Sequence, residues 1–277
     1  MIRLILIVMG AMFFQRAQGQ PISIHPDNPH YLIYNNEPEL LITSAEHYGA
    51  VLNRDFDYKT YLRTLYEEGM NYTRIFTGSY VEVPGAFGIE NNTLAPDKGA
   101  YLAPWVRSDE AGLFAGEAKF DLDRWNPAYF ERLSAFMAEA SRYDIIVEVT
   151  FFCATYQDAN WERHPFNPGN NIQGVGPTDR RDFNTLKVPA VVDYQLKLVQ
   201  KLVMELNGYD NLIFEISNEP WADNGVKVQA MLKTLHPQRE GMNWALWSEA
   251  ATTETLQWQE TIARTIADTE SNLPRQH

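Results

Sequence analysis

Cysteine is almost absent. Cys153 stands alone in 277 residues, which excludes an internal disulfide framework and any cysteine-based zinc cluster. Basic residues are also scarce: 23 Lys and Arg face 36 Asp and Glu, a formal net charge of −13. Without Arg3 and Arg16 the balance is more negative still. Such a chain is repelled by phosphate backbones and anionic lipid, which argues against a nucleic-acid or membrane-surface partner. Neither a Gly-x-Gly-x-x-Gly after a first strand nor a Gly-x-x-x-x-Gly-Lys-Ser/Thr occurs, so a nucleotide cofactor has no sequence support. His164 has no second His or carboxylate at ligand spacing, and no metal or other cofactor is expected. Finally, no apolar run reaches the roughly 20 residues that a spanning helix needs.

What is present is apolar and aromatic. Hydrophobic residues make up 45% of the chain and aromatics 13%, enough for a sizeable core. Residues 1–19 combine Arg3, a short apolar run from Leu4 to Phe14, and small residues at Ala17 and Gly19. This pattern predicts a secretory signal peptide and a mature protein, residues 20–277, that is secreted or periplasmic. A short leading hairpin is expected at about 21–39, around Asn35-Asn36. Beyond it, apolar strands are expected near 40–44, 71–76, 145–152 and 211–217. Helices of 3.6-residue periodicity are expected near 56–68, 127–143, 189–206 and 253–270. Strict alternation predicts an α/β fold with parallel strands and right-handed crossovers. Long loops (77–124, 153–187, 218–251) leave the carboxyl ends of strands, whereas the helix-to-strand turns are tight. That asymmetry describes a ligand-binding face built from strand-to-helix loops.

The segment Asn211-Leu-Ile-Phe-Glu-Ile-Ser-Asn218-Glu219-Pro220-Trp221 carries the most chemistry. A strand runs directly into an amide, a carboxylate and a proline. Period-two alternation puts Ile213, Glu215, Ser217 and Glu219 on one face. Glu219 is expected half-buried at the strand's mouth, where desolvation favours a general acid, with Asn218 beside it to bind a ligand hydroxyl. Arg74, Glu148 and Glu215 also face inward and suit an ion-pair network. His47 follows the first strand and is expected on the same rim. Trp161 and Trp221, in the long loops, can stack on sugar faces.

Asn218-Glu219-Pro220 at the end of a fourth strand resembles the acid/base motif of clan A (β/α)8 glycoside hydrolases. Asn71-Tyr72-Thr73-Arg74-Ile75 resembles the second-strand motif of their cellulase-like, family five-like members. The resemblance implies a TIM barrel of which this chain supplies about the first four β/α units. It implies a hydrolase of β-linked polysaccharide that retains configuration, with Glu219 as acid/base. Asn218 would hold the sugar 2-hydroxyl and Arg74 would orient carboxylates; His47, Trp161 and Trp221 would contact substrate. The family often carries a His at the end of the third strand, where this chain has Phe152-Cys153-Ala154. Its nucleophile, a Glu ending a seventh strand, is expected beyond His277, so the chain alone is expected to be inactive. The alternative is a non-catalytic secreted carbohydrate-binding protein.

Overall fold

The computed structural model describes residues 20–44, 47–114, 116–220, 225–238 and 250–277. The expected signal peptide, residues 1–19, lies outside them. Three short strands, β1 (Ser23–Ile24), β2 (Leu32–Tyr34) and β3 (Glu37–Glu39), form an antiparallel leading sheet. Asn35 and Asn36, both at positive φ, make its tight turn. Helix α1 (Tyr58–Glu67) is capped by Asp57, whose carboxylate accepts from the Thr60 N–H, and the chain turns at Gly69, φ 74°. Strand β4 (Tyr72–Phe76) follows. After α2 (Pro127–Arg142) and β7 (Ile146–Cys153) come the single-turn α3 (Asp158–Trp161), α4 (Pro189–Leu206) and β8 (Leu212–Asn218). Prolines open both α2 and α4, where a missing N–H costs nothing. Helix α5 (Gly225–Leu235) and helix α6 (Thr253–Glu270) complete the order.

The parallel sheet runs β4-β7-β8. Its register pairs Arg74 with Glu148 and Thr150 with Glu215, so these side chains share the inward face. Below them, Ile146 packs with Ile22 and Tyr34 of the leading sheet, with Tyr72 and Ile213 alongside. The leading sheet therefore closes the amino-terminal end of the parallel strands. On the outer side, Val147 and Val149 join the buried helix residues Leu133, Phe136, Met137, Leu198 and Leu202 in one core. Helix α6 docks through Trp258. Its ring meets Phe152 at 5.3 Å between centroids, and its Nε1–H donates to Gln195 Oε1 of α4 at 2.9 Å.

Three expectations need correction. Residues 40–44 form no ladder strand. Among the described residues, Ile42 bonds with Asn71, just before β4, and Tyr48, beyond the segment, accepts from the Phe76 N–H at the end of β4. Leu40 and Ile42 are exposed, so this apolar run is not a buried strand, and the Asn71 side chain binds the Ile42 N–H that a ladder would pair. The described sheet thus has three parallel strands rather than four and is not closed into a barrel. Second, the stretch 77–124 is not simply a loop. It holds the antiparallel hairpin β5 (Trp105–Ala111) and β6 (Ala118–Trp125), with Phe120 and Leu122 buried between polar neighbours. Third, α5 lies within the expected loop 218–251.

Replacing Trp258 by Ala removes the fully buried contact that seats α6. Urea denaturation of Trp258→Ala is expected to show a loss of about 3–5 kcal/mol; an unchanged midpoint would mean that α6 does not dock through this ring.

Candidate active site

Arg74 is the hub of the inward face. Its Nε donates to Glu215 Oε2 at 2.7 Å and to Thr150 Oγ1 at 3.1 Å. Its Nη2 donates to Glu215 Oε1 at 2.5 Å and to Asn218 Oδ1 at 2.9 Å. Glu148 Oε1 lies 3.7 Å from Nε, and the Tyr72 hydroxyl donates to the other oxygen of Glu148. Tyr48 and Phe76, stacked on each other at 4.9 Å, hold the guanidinium against their rings at 5.2 and 5.3 Å. Burial disfavours the charge on Arg74, yet Glu215, by hydrogen bonding and charge, and Glu148 outweigh it, so its pKa lies above the ordinary value. Glu148 is pushed up, first by burial and then by the like charge of Glu215, against the opposing pull of Tyr72 and Arg74.

The network continues to the end of β8. Because Arg74 is donor-only, it fixes which end of the Asn218 amide faces it. The free Nδ2 then donates to the Tyr156 hydroxyl at 2.7 Å, and Tyr156 donates to Glu219 Oε2 at 2.6 Å. Burial, followed by the nearby Cys153 and the bond to Glu219, raises the Tyr156 pKa, so the phenol keeps its proton for Glu219. Glu219 takes φ 47°, a left-handed conformation uncommon for a residue with a side chain, immediately before Pro220. A continuous polar chain therefore joins Glu215, Arg74, Asn218, Tyr156 and Glu219. Contrary to the alternation pattern, Glu219 is exposed rather than half-buried, because this backbone turn ends the strand's period just before it.

Glu219, Asn218 and Tyr156 open on a cavity of about 470 Å³ whose wall also includes His47, Tyr48 and Phe76. Of the residues anticipated for substrate contact, His47 is here, its ring against Phe56 and Tyr61 at 4.7 and 4.8 Å. Burial lowers its pKa and favours the neutral imidazole. Trp161 is not brought to the cavity wall. It packs on His164 and Phe183, at 4.9 and 6.1 Å, as part of the loop's own core. Trp221 lies outside the described residues. His164 is fully buried, which drives its pKa down to about 3. Among the described residues, no group of three or more His, Cys, Asp or Glu is placed to hold a metal ion. Tyr156, Tyr80, Glu82 and Phe87 escape sequence reasoning, since each sits in a loop without periodicity. The only signal for Tyr156 is its place three residues after β7, on the loop-bearing face.

No family model and no curated protein matches the sequence. Solved structures do resemble the fold. A candidate glycoside hydrolase from Bacteroides vulgatus aligns at 14% identity and TM-score 0.52, over 92% of this chain and 37% of its own length. The β-1,4-D-mannanase of Cryptopygus antarcticus aligns at 13% and 0.46, over 91% of this chain and 59% of that one. The family 5 mannosidase of Rhizomucor miehei aligns at 13% and 0.44, over 80% and 55%. The chain carries part of a (β/α)8-barrel fold. At this identity the likeness is one of fold, and it rests on the first structure, the one of these three above 0.5. The chain spans little more than a third of that structure's length.

Two outcomes test the network. Arg74→Ala leaves Glu215 and Glu148 without their cation and is expected to cost about 3–5 kcal/mol in urea denaturation at neutral pH. The raised pKa of Glu148 means the folded state binds the extra proton. Stability contributed by that proton is present at low pH and is lost as pH rises from 4.5, the ordinary value, through the raised one. Glu148→Gln should flatten this part of the stability–pH curve; an unaltered slope would show that Glu148 is not the group responsible.

Proposed function

We propose that the cavity beside Glu219 is the acid/base side of a glycoside hydrolase site, acting with retention on a β-linked polysaccharide outside the cytoplasm. The observation that supports this most is the chain Arg74–Asn218–Tyr156–Glu219. It aims an amide and a carboxylate into one cavity at the carboxyl ends of parallel strands. Glu219, reached by solvent and holding one hydrogen bond from Tyr156, would first protonate the leaving oxygen and then activate water. Asn218 would bind the 2-hydroxyl of the reacting sugar. Residues 1–19 fit a secretory signal, and the acidic chain fits a neutral polysaccharide partner.

Retention needs a second carboxylate about 5–5.5 Å from the first. Glu215 is held by Arg74, and Glu148 by Tyr72 and Arg74, so neither is free to attack. These engagements also favour a second reading, a carbohydrate-binding protein without turnover. Both readings require binding, and turnover that depends on Glu219 would decide for the hydrolase.

Titration calorimetry of residues 20–277 with β-1,4-linked manno- and gluco-oligosaccharides is expected to show binding that Asn218→Ala weakens about tenfold. Lack of binding would contradict both readings. In hydrolysis assays no turnover is expected from the chain alone, since Glu215 and Glu148 are both engaged. Turnover lowered about 10²–10⁴-fold in Glu219→Gln would keep the acid/base role and show that another carboxylate of this chain serves. Turnover unaffected by that change would remove Glu219 from catalysis.

A further inference from the structure

The same cavity has a second wall that the reaction at Glu219 does not use. It is built by the long connection between β4 and β5. There the backbone reverses through residues 85–91, where Gly85, Phe87, Gly88 and Asn91 all take positive φ. Phe87 is the outlier. A bulky side chain at φ 56° carries a backbone cost that glycine would avoid, and the residue is nevertheless 58% exposed. Strain of this kind persists where surrounding structure enforces it, and it clusters at ligand clamps. The ring stands edge-on to Tyr156, with centroids 5.5 Å apart at 90°. The phenol whose hydroxyl holds Glu219 therefore also abuts an exposed aromatic platform.

Polar groups face the same space. Glu82 is 5% exposed and lines the cavity, yet among the described residues its carboxylate accepts from neutral donors, the Tyr80 hydroxyl at 3.0 Å and the Asn92 amide. Each of its oxygens keeps a further acceptor position. The wall is braced from behind. Buried Arg163 donates to the backbone carbonyls of Glu82 and Pro96, and the Glu82 N–H donates to Leu94 O. Asn160 donates to the Tyr80 hydroxyl at 3.0 Å, orienting it toward Glu82. An apolar platform and a preorganised acceptor lining one cavity suit a pyranose ring, which offers a C–H face and a set of hydroxyl donors. Glu82, Glu90 and Glu219 line one cavity in a chain of net charge −13, so an anionic sugar is repelled.

We propose that Phe87 and Glu82 form a second sugar subsite beside Glu219, selective for neutral hexose units over uronates in a β-linked chain. This rests on the carbohydrate reading of the Glu219 cavity, and its consequences are separable from it. The test measures calorimetric affinity for the methyl glycoside and for two- to six-unit neutral β-1,4-linked oligosaccharides, beside a uronate oligomer of matching length. The unaltered chain should bind the longer neutral ligands more tightly than the methyl glycoside. Phe87→Ala should lower affinity for the longer ligands about three- to tenfold and leave the methyl glycoside unchanged, while Phe87→Trp retains the affinity. Glu82→Gln should narrow the preference for neutral over uronate ligands. If Phe87→Ala binds every length as the unaltered chain does, the subsite is refuted and the Glu219 reading stands. An equal loss for the methyl glycoside would also refute a separate subsite. Uronate binding as tight as neutral binding would overturn the selectivity, and no binding of any saccharide would overturn this inference and the carbohydrate reading together.

Discussion

The inward face of this fold depends on one guanidinium. Three parallel strands, β4, β7 and β8, each bring a polar side chain to the same layer, and two of these are carboxylates. Without a cation between them, Glu148 and Glu215 would repel each other in a poorly solvated space. Arg74 resolves that conflict. Its planar fork spans Glu215 bidentately and has a further donor for Asn218, a geometry that lysine's single ammonium does not reproduce. The same cation thus reconciles a half-buried acidic layer and orients the first amide of the site above it.

From Arg74 the order of the site is dictated by hydrogen-bonding capacity. A donor-only group sets the Asn218 amide, the amide sets the Tyr156 hydroxyl, and the hydroxyl sets Glu219. Each step removes a rotational choice from the next. Glu219 therefore keeps a fixed contact while remaining exposed to solvent, an arrangement suited to exchanging a proton with a leaving group and then with water. The cavity's second wall is stiffened by separate means, with Arg163 bound to main-chain carbonyls. The two walls meet through ring contact between Tyr156 and Phe87.

Legibility in the sequence followed burial. Helices α2, α4 and α6 and strands β4, β7 and β8 bury a continuous face, and their periodicity located them to within a few residues. Leu40 to Ser44 has a strand's composition but lies at the surface, so composition misled. In β6 the buried Phe120 and Leu122 do alternate with Lys119, Asp121 and Asp123; the glycines and prolines around the hairpin obscured that pattern. At the site, Asn218, Glu219 and Arg74 could be found because they sit on or just beyond strands, where register dictates who meets whom. Tyr156 and Phe87 could not, since their positions follow from loop closure. Trp161, singled out in its loop for its chemistry, is seen to pack on His164 and Phe183.

The central claim is that the Arg74–Asn218–Tyr156–Glu219 chain presents a sugar-binding edge to the cavity. A crystal structure of the chain with a β-linked oligosaccharide tests it directly. The account predicts a pyranose in this cavity, with a ring hydroxyl within hydrogen-bond distance of Asn218 and a glycosidic oxygen facing Glu219. A saccharide bound elsewhere on the molecule, with this cavity holding only water, would contradict it.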